Sequence, residues 1–173
     1  MSLAPVVEFY EKVSDQKIGT VNLPQWDAGI VRAGNSSDIF NLRVWNNRGN
    51  AVDRAATMQG CRLYIVDNLG TREAQVAKDG WLFAKCVTLG DVDFTQIHNN
   101  PDIGGNTPIE LPVGSEGLSP DDSIGGEVND GIDANSLDNF ADVDMYLQPS
   151  NDPARTALHG AKNFSIVLEY FYV

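Results

Sequence analysis

The residues best suited to chemistry in this chain are carboxylates. Asp121, Asp122, Glu127, Asp130, Asp133, Asp138, Asp142 and Asp144 all fall within positions 121–144, and an oxygen-rich loop is what calcium demands, with six or more hard ligands on a pliable segment. Within it, Asp130-Gly131-Ile132-Asp133-Ala134-Asn135-Ser136-Leu137-Asp138 has the outline of a calcium loop. Asp130, Asp133 and Asp138 are therefore the candidate metal ligands. Ile132, however, stands where the helix–loop–helix pattern wants a second oxygen, and no amphipathic helix flanks the segment, so that specific motif fails. A solvated acidic loop is the plainer reading. Glycoside hydrolysis needs two carboxylates at a defined separation, but nothing in the order of residues singles out one pair among the 24 acids.

The other reactive residue types form no constellation. His98 and His159 are the two histidines; neither has zinc-helix spacing, and no Gly-x-Ser-x-Gly nucleophile motif accompanies them. Cys61 and Cys86 lie in separate apolar segments, too far apart for a metal knuckle or a redox Cys-x-x-Cys. Two buried thiols are the simple reading, with a disulfide as the alternative. Trp45 ends an apolar alternating run and Trp81 begins one, which assigns both to the core. Trp26, between Pro24-Gln25 and Asp27, is the least constrained and is the candidate ligand-binding residue, since an exposed indole face can stack on a sugar. Gly29, Gly34, Gly104, Gly105, Gly125, Gly126 and Gly131 never follow a strand and open a helix, so they read as turn formers and not as a phosphate cradle. No catalytic residue and no cofactor site is expected.

What must position these residues is a set of strands. Phe40, Leu42 and Val44 alternate with Asn41 and Arg43, so Asp27 to Asn47 reads as a strand, a polar turn and a second strand closed by the corner Asn46-Asn47-Arg48-Gly49-Asn50. Ala141 to Gln148 alternates as well: Val143, Met145 and Leu147 should face a core while Asp142 and Asp144 face water. Cys61 to Val66 is strand-like, and the continuous apolarity of Trp81 to Val87 predicts a strand covered on both faces. Val6 to Tyr10 and Ile18 to Val21 read as short edge strands, and Asn163 to Val173 is apolar enough to require docking in a sheet. Ala51 to Gln59 reads as a helical turn or an irregular crossover. Asp93–Ile97 and Ile109–Val113 are expected to pair with each other, leaving an acidic excursion from about Ser115 to Asp138. Helical spacing of apolar residues is not sustained anywhere, which argues against an α/β or bundle fold.

Composition sets the outer limits. A chain of 173 residues with 42% hydrophobic and 21% charged residues is read as one all-β domain, an antiparallel β-sandwich with a long acidic insertion at about 99–139. A net charge of −12 opposes nucleic-acid binding, which depends on Lys and Arg displacing counterions. Between Lys85 and Arg155 there are 14 acids and no basic residue, so the negative field is concentrated in the second half. No apolar run is long enough for a membrane span, and the N-terminus lacks the pattern of a secretory signal.

Trp26-Asp27-Ala28-Gly29-Ile30-Val31-Arg32-Ala33-Gly34-Asn35-Ser36-Ser37, leading into Leu42-Arg43-Val44-Trp45-Asn46-Asn47, resembles the opening of immunoglobulin-like sandwiches in bacterial and phage surface proteins. The ending, an alternating strand into Gln148-Pro149, then Ala157 to Gly160 and a tyrosine-rich last strand, resembles the closing strands of phage and prophage virion modules. The resemblance implies an immunoglobulin-like structural component of a tail, baseplate or head surface, found in the virion or, before assembly, in the bacterial cytoplasm. It implies partners among virion proteins or further copies of the chain, and transfers no functional residue, because such modules share no active site. A carbohydrate-binding or adhesin domain, recognising a surface glycan through Trp26 with loop-bound calcium, is the alternative expectation.

Overall fold

The alternating runs fold into two antiparallel sheets in a computed structural model that describes residues 3–19, 26–66, 76, 79–97, 109–110, 123–151 and 162–172. The strands are β1 (Val7–Glu11), β2 (Gln16–Ile18), β3 (Phe40–Asn46), β4 (Met58–Val66), β5 (Leu82–Cys86), β6 (Thr95–Ile97), β7 (Ile109–Glu110), β8 (Ser123–Ile124), β9 (Phe140–Leu147) and β10 (Ser165–Phe171). One sheet has six strands in the order β2-β1-β3-β9-β5-β6; the other runs β10-β4-β7, with β8 also paired to β4. Their inner faces meet in one core. Leu42 and Val44 of β3, Ala141, Val143 and Met145 of β9, and Leu82, Ala84 and Cys86 of β5 pack against Cys61, Leu63 and Ile65 of β4. The chain is thus an all-β sandwich, and period two along each strand is what allows one face to be apolar throughout. Among the described residues no helix is long and apolar enough to cross a membrane.

Two glycines adjust the packing. Met58 and Cys61 are both buried, a spacing of three that simple alternation forbids. Gly60, at φ 58°, accommodates the register shift between Glu169 and Phe171 on the partner strand, and a Cβ there would lie 2.5 Å from the Phe171 ring. Gly126 lies against the 55–56 segment so closely that a Cβ would come within 2.2 Å of the Ala55 carbonyl oxygen.

Four asparagines hold that junction together. Asn47 takes the left-handed conformation, φ 61°, which this residue type tolerates. Its Nδ2 donates to the carbonyls of Asp53 (2.8 Å) and Gly126 (3.0 Å), while Asn46 Nδ2 donates to Ala56 and Ile124 and Asn46 Oδ1 accepts from Val6 N. Asn129 Nδ2 reaches back to the Asn47 carbonyl at 2.7 Å, and Asn139 Nδ2 donates to the Glu127 carbonyl at the same distance. All four side chains are buried. The amides therefore substitute for the sheet hydrogen bonds that the backbone loses at a corner.

Several expectations are corrected. Residues 26–39 are not a strand: Gly29 (φ 66°) and Gly34 (φ 81°) bend the segment, Asp27 Oδ1 accepts from Gly29 N, and Ile30 is 98% exposed. Thr95–Ile97 and Ile109–Glu110 pair not with each other but with β5 and β4, in different sheets. The strand at 82–86 is covered fully on its inner face only, since Phe83 and Lys85 are half-buried. Residues 123–139 are not an excursion; Ile124 and Asn129 are buried against the corner, whereas 111–122 lie outside the described residues. Asp142 does not face water, since it is buried and bonded to Arg43.

Candidate functional site

The outer face of the six-stranded sheet carries a charge cluster that serves the fold. Arg43 on β3 stands opposite Asp142 on β9; its Nε donates to Asp142 Oδ1 at 2.6 Å and its Nη2 to Oδ2 at 2.9 Å. Lys12 Nζ adds a second cation 2.7 Å from Asp142. Arg43 Nη1 also donates to Asp133 at 3.0 Å, and the guanidinium lies 4.0 Å from the Phe140 ring centroid. Desolvation works against the charged guanidinium, but the bonds to Asp142 and Asp133 outweigh it and raise the Arg43 pKa. Arg43 and Asp142 are only 7% and 6% exposed. Their fork-to-fork geometry leaves no room for a ligand between them, so they brace the sheet and anchor 133–140 over it.

The open edge of the sandwich is different. Where β1–β2 and β10 part, a cavity of about 410 Å³ opens between the two sheets, walled by Phe9, Ile18, Trp26, Phe40, Phe164 and Ile166, with Lys162, Asn163 and Ser165 as polar lining. The β1–β2 hairpin is fixed from outside: Glu11 accepts hydrogen bonds from Val13 N and Ser14 N, Lys17 pairs with Glu8, and Arg48 pairs with Asp15 at 2.6 Å while covering the Tyr10 ring. Phe9 and Ile18 stand opposite each other on the inner side. Trp26 stacks on Phe40, with centroids 5.0 Å apart and planes 10° from parallel, and meets Phe164 at 5.8 Å and 89°. These rings are half-buried. The described lining is mainly aromatic and aliphatic, with Lys162 as its titratable side chain, so the groove is suited to burying apolar groups.

Of the candidate residues, only Trp26 lies in this groove, with one indole face taken up by Phe40. Asp130 accepts from Ile132 N and Asn135 Nδ2; the Asn135 bond holds its pKa below the usual carboxylate range. Asp133 is held low by its hydrogen bond from Arg43. The Asp138 carbonyl accepts from Gly125 N. Among the described residues no three His, Cys, Asp or Glu side chains are grouped to hold a metal. His98 and His159 lie outside the described residues. Cys61 and Cys86 are both buried, and desolvation pushes the Cys86 thiol up to about 12, which makes it a core residue and not a nucleophile. Trp45 and Trp81 are core residues, 0% and 5% exposed.

No protein-family model, curated protein or solved structure matches the chain. Function must therefore be read from the surface itself. Sequence reasoning missed the aromatic clamp on Trp26, because Phe40 and Phe164 are brought to it from distant positions; the available signal was that both stand on the apolar side of alternating strands.

Proposed function

We propose that this protein is a non-enzymatic structural or surface module of a phage-derived particle, acting through protein–protein contacts at the open edge of its sandwich. The observation that carries this reading is the juxtaposition of β10, an edge strand of its sheet among the described residues, with the aromatic groove beneath it. An incoming strand hydrogen-bonded to β10 would extend the four-stranded sheet over the groove, and every second side chain would fall against Trp26 and Phe164. The resemblance of the chain's two ends to virion modules supports the particle setting. A net charge of −12 opposes stacking of identical copies at low salt, so a different virion protein with a basic rim is the better partner.

The test is light-scattering chromatography of the purified chain, alone and mixed with each product of the genes flanking its own. A defined complex with one of them, weakened at least about tenfold by Trp26→Ala (roughly 1.4 kcal/mol), is expected. A strict monomer that binds none of them, or a complex indifferent to Trp26→Ala, refutes the proposal.

A further inference from the structure

At the opposite end of the six-stranded sheet a second cleft, of about 200 Å³, lies between the 79–83 region, β6 and the 148–151 segment. Four separated pieces of chain build it. Phe83 forms its apolar wall, and Asp79, Gln96, Gln148 and Asn151 supply polar groups, with Gly34 at the lip. The Phe83 ring is held from behind: it stacks on Tyr146, its cross-strand partner, with centroids 5.1 Å apart and planes 4° from parallel. Tyr146 is in turn met edge-on by Phe94 at 4.8 Å. Tyr146 lies outside the cleft, whereas Gln96, the cross-strand partner of Phe83 on β6, lines it beside the ring.

The polar groups are similarly held. Gln96 Nε2 donates to the Gly80 carbonyl at 2.7 Å and Gln148 Nε2 to the Gly34 carbonyl at 3.3 Å, which fixes the planes of both amides. Gly34 N donates to the Pro149 carbonyl at 2.8 Å, tying the two lips together, and Asn151 packs over Gly34. One rigid aromatic wall facing planar amide and carboxylate groups is the arrangement that recognises a sugar, whose C–H face is apolar and whose paired hydroxyls need groups that both donate and accept. The volume is below that of pockets for drug-sized ligands and suits a single ring. Asp79, in a chain of net charge −12, disfavours an anionic one.

We propose that this cleft, walled by Phe83 and lined by Asp79, Gln96, Gln148 and Asn151, binds one neutral hexose ring of a surface glycan. It is independent of the groove at Trp26.

Saturation-transfer NMR on the whole chain with glucose, galactose, mannose and N-acetylglucosamine, with sialic acid as the anionic control, tests this. Immobilised oligosaccharides ending in the same sugars separate free-sugar from glycan binding. At least one neutral sugar should bind with a Kd on the order of 1 mM, the range expected of a single-ring contact, and sialic acid should not. Phe83→Ala and Gln148→Ala should each weaken it at least about tenfold with the β-sheet circular dichroism unchanged, and Trp26→Ala should leave it intact. If Phe83→Ala does not fold, Gln148→Ala and Asp79→Ala carry the test. The proposal is overturned if no neutral sugar binds, if sialic acid binds as well, if the Gln148 and Asp79 variants bind normally, or if a short apolar peptide displaces the sugar.

Discussion

The asparagine corner and the β10 edge are both places where a sheet runs out, and the protein finishes them in opposite ways. At the corner Asn46, Asn47, Asn129 and Asn139 turn inward and donate to backbone carbonyls, and the neighbouring Arg43 spends its guanidinium on Asp142 and Asp133. At the edge Trp26, Phe40 and Phe164 are only partly covered, and Phe171 and Tyr172 are 55% and 51% exposed. Polar groups that are satisfied internally make a scaffold, whereas apolar surface left half-covered is stabilised further only by something that arrives from outside. On this contrast, substitutions at the corner and its charge cluster should cost stability, and those at the edge should cost association.

The sharpest way to break the contrast is Arg43→Ala, which leaves Asp142 buried with Lys12 as its remaining cation. A loss of about 3 kcal/mol in urea unfolding is expected, at the lower end for a broken buried pair; an unchanged midpoint would mean that the cluster does not brace the sheet. Asn46→Ala comes next. It strips partners from Val6 N and from the Ala56 and Ile124 carbonyls, and about 2 kcal/mol should be lost by the same measurement. Trp26→Ala should lower stability by only about 1 kcal/mol, since the ring is half-buried, while weakening partner binding at least about tenfold; the reverse pattern would make the groove part of the core.

The pH profile of unfolding probes the inner and outer faces together. Cys86, raised to about 12 by burial, contributes stability that is fully present below the unfolded thiol value of about 8.5 and falls by about 1.4 kcal/mol per pH unit above it; Cys86→Ala should flatten that alkaline limb. Asp133, held low by Arg43, acts in the other direction. Its contribution is present above the unfolded value of about 4 and is lost as pH falls through the lower folded value, so Asp133→Asn should soften the acid limb. The smallest effect expected is that of calcium: with Asp130 and Asp133 engaged in internal hydrogen bonds, the melting midpoint should be the same in calcium and in chelator. A rise with calcium would show that these bonds yield to a metal.

Alternation was sufficient to assign Phe40, Leu42, Val44, Val143, Met145 and Leu147 to the inner side, because period two places such residues on one face whatever the partner strand is. The same pattern misassigned Asp142. A charged residue on the outer face reads as solvated, yet Lys12, Arg43 and the 133–140 segment cover it, and whether a charge meets water or a counter-charge depends on contacts between residues about a hundred positions apart. Residues 26–39 were misread because Ile30 and Val31 have strand propensity, while Gly29 and Gly34 adopt positive φ and break the ladder. The Phe83–Tyr146 stack was illegible for a related reason: each ring is visible, but their pairing is a matter of register between β5 and β9.

Residue types and their local order are enough to make this an all-β chain with an apolar inner face on each main strand, a turn at Asn46–Asn50 and a strongly acidic second half. Those properties follow from side-chain type and local spacing, which any compact state must respect. Which strands became neighbours, which charges were buried, and where the two sheets part to expose Trp26 were decided only in the tertiary structure, since each depends on the relative placement of segments far apart in the chain, and local preference carries no information about that.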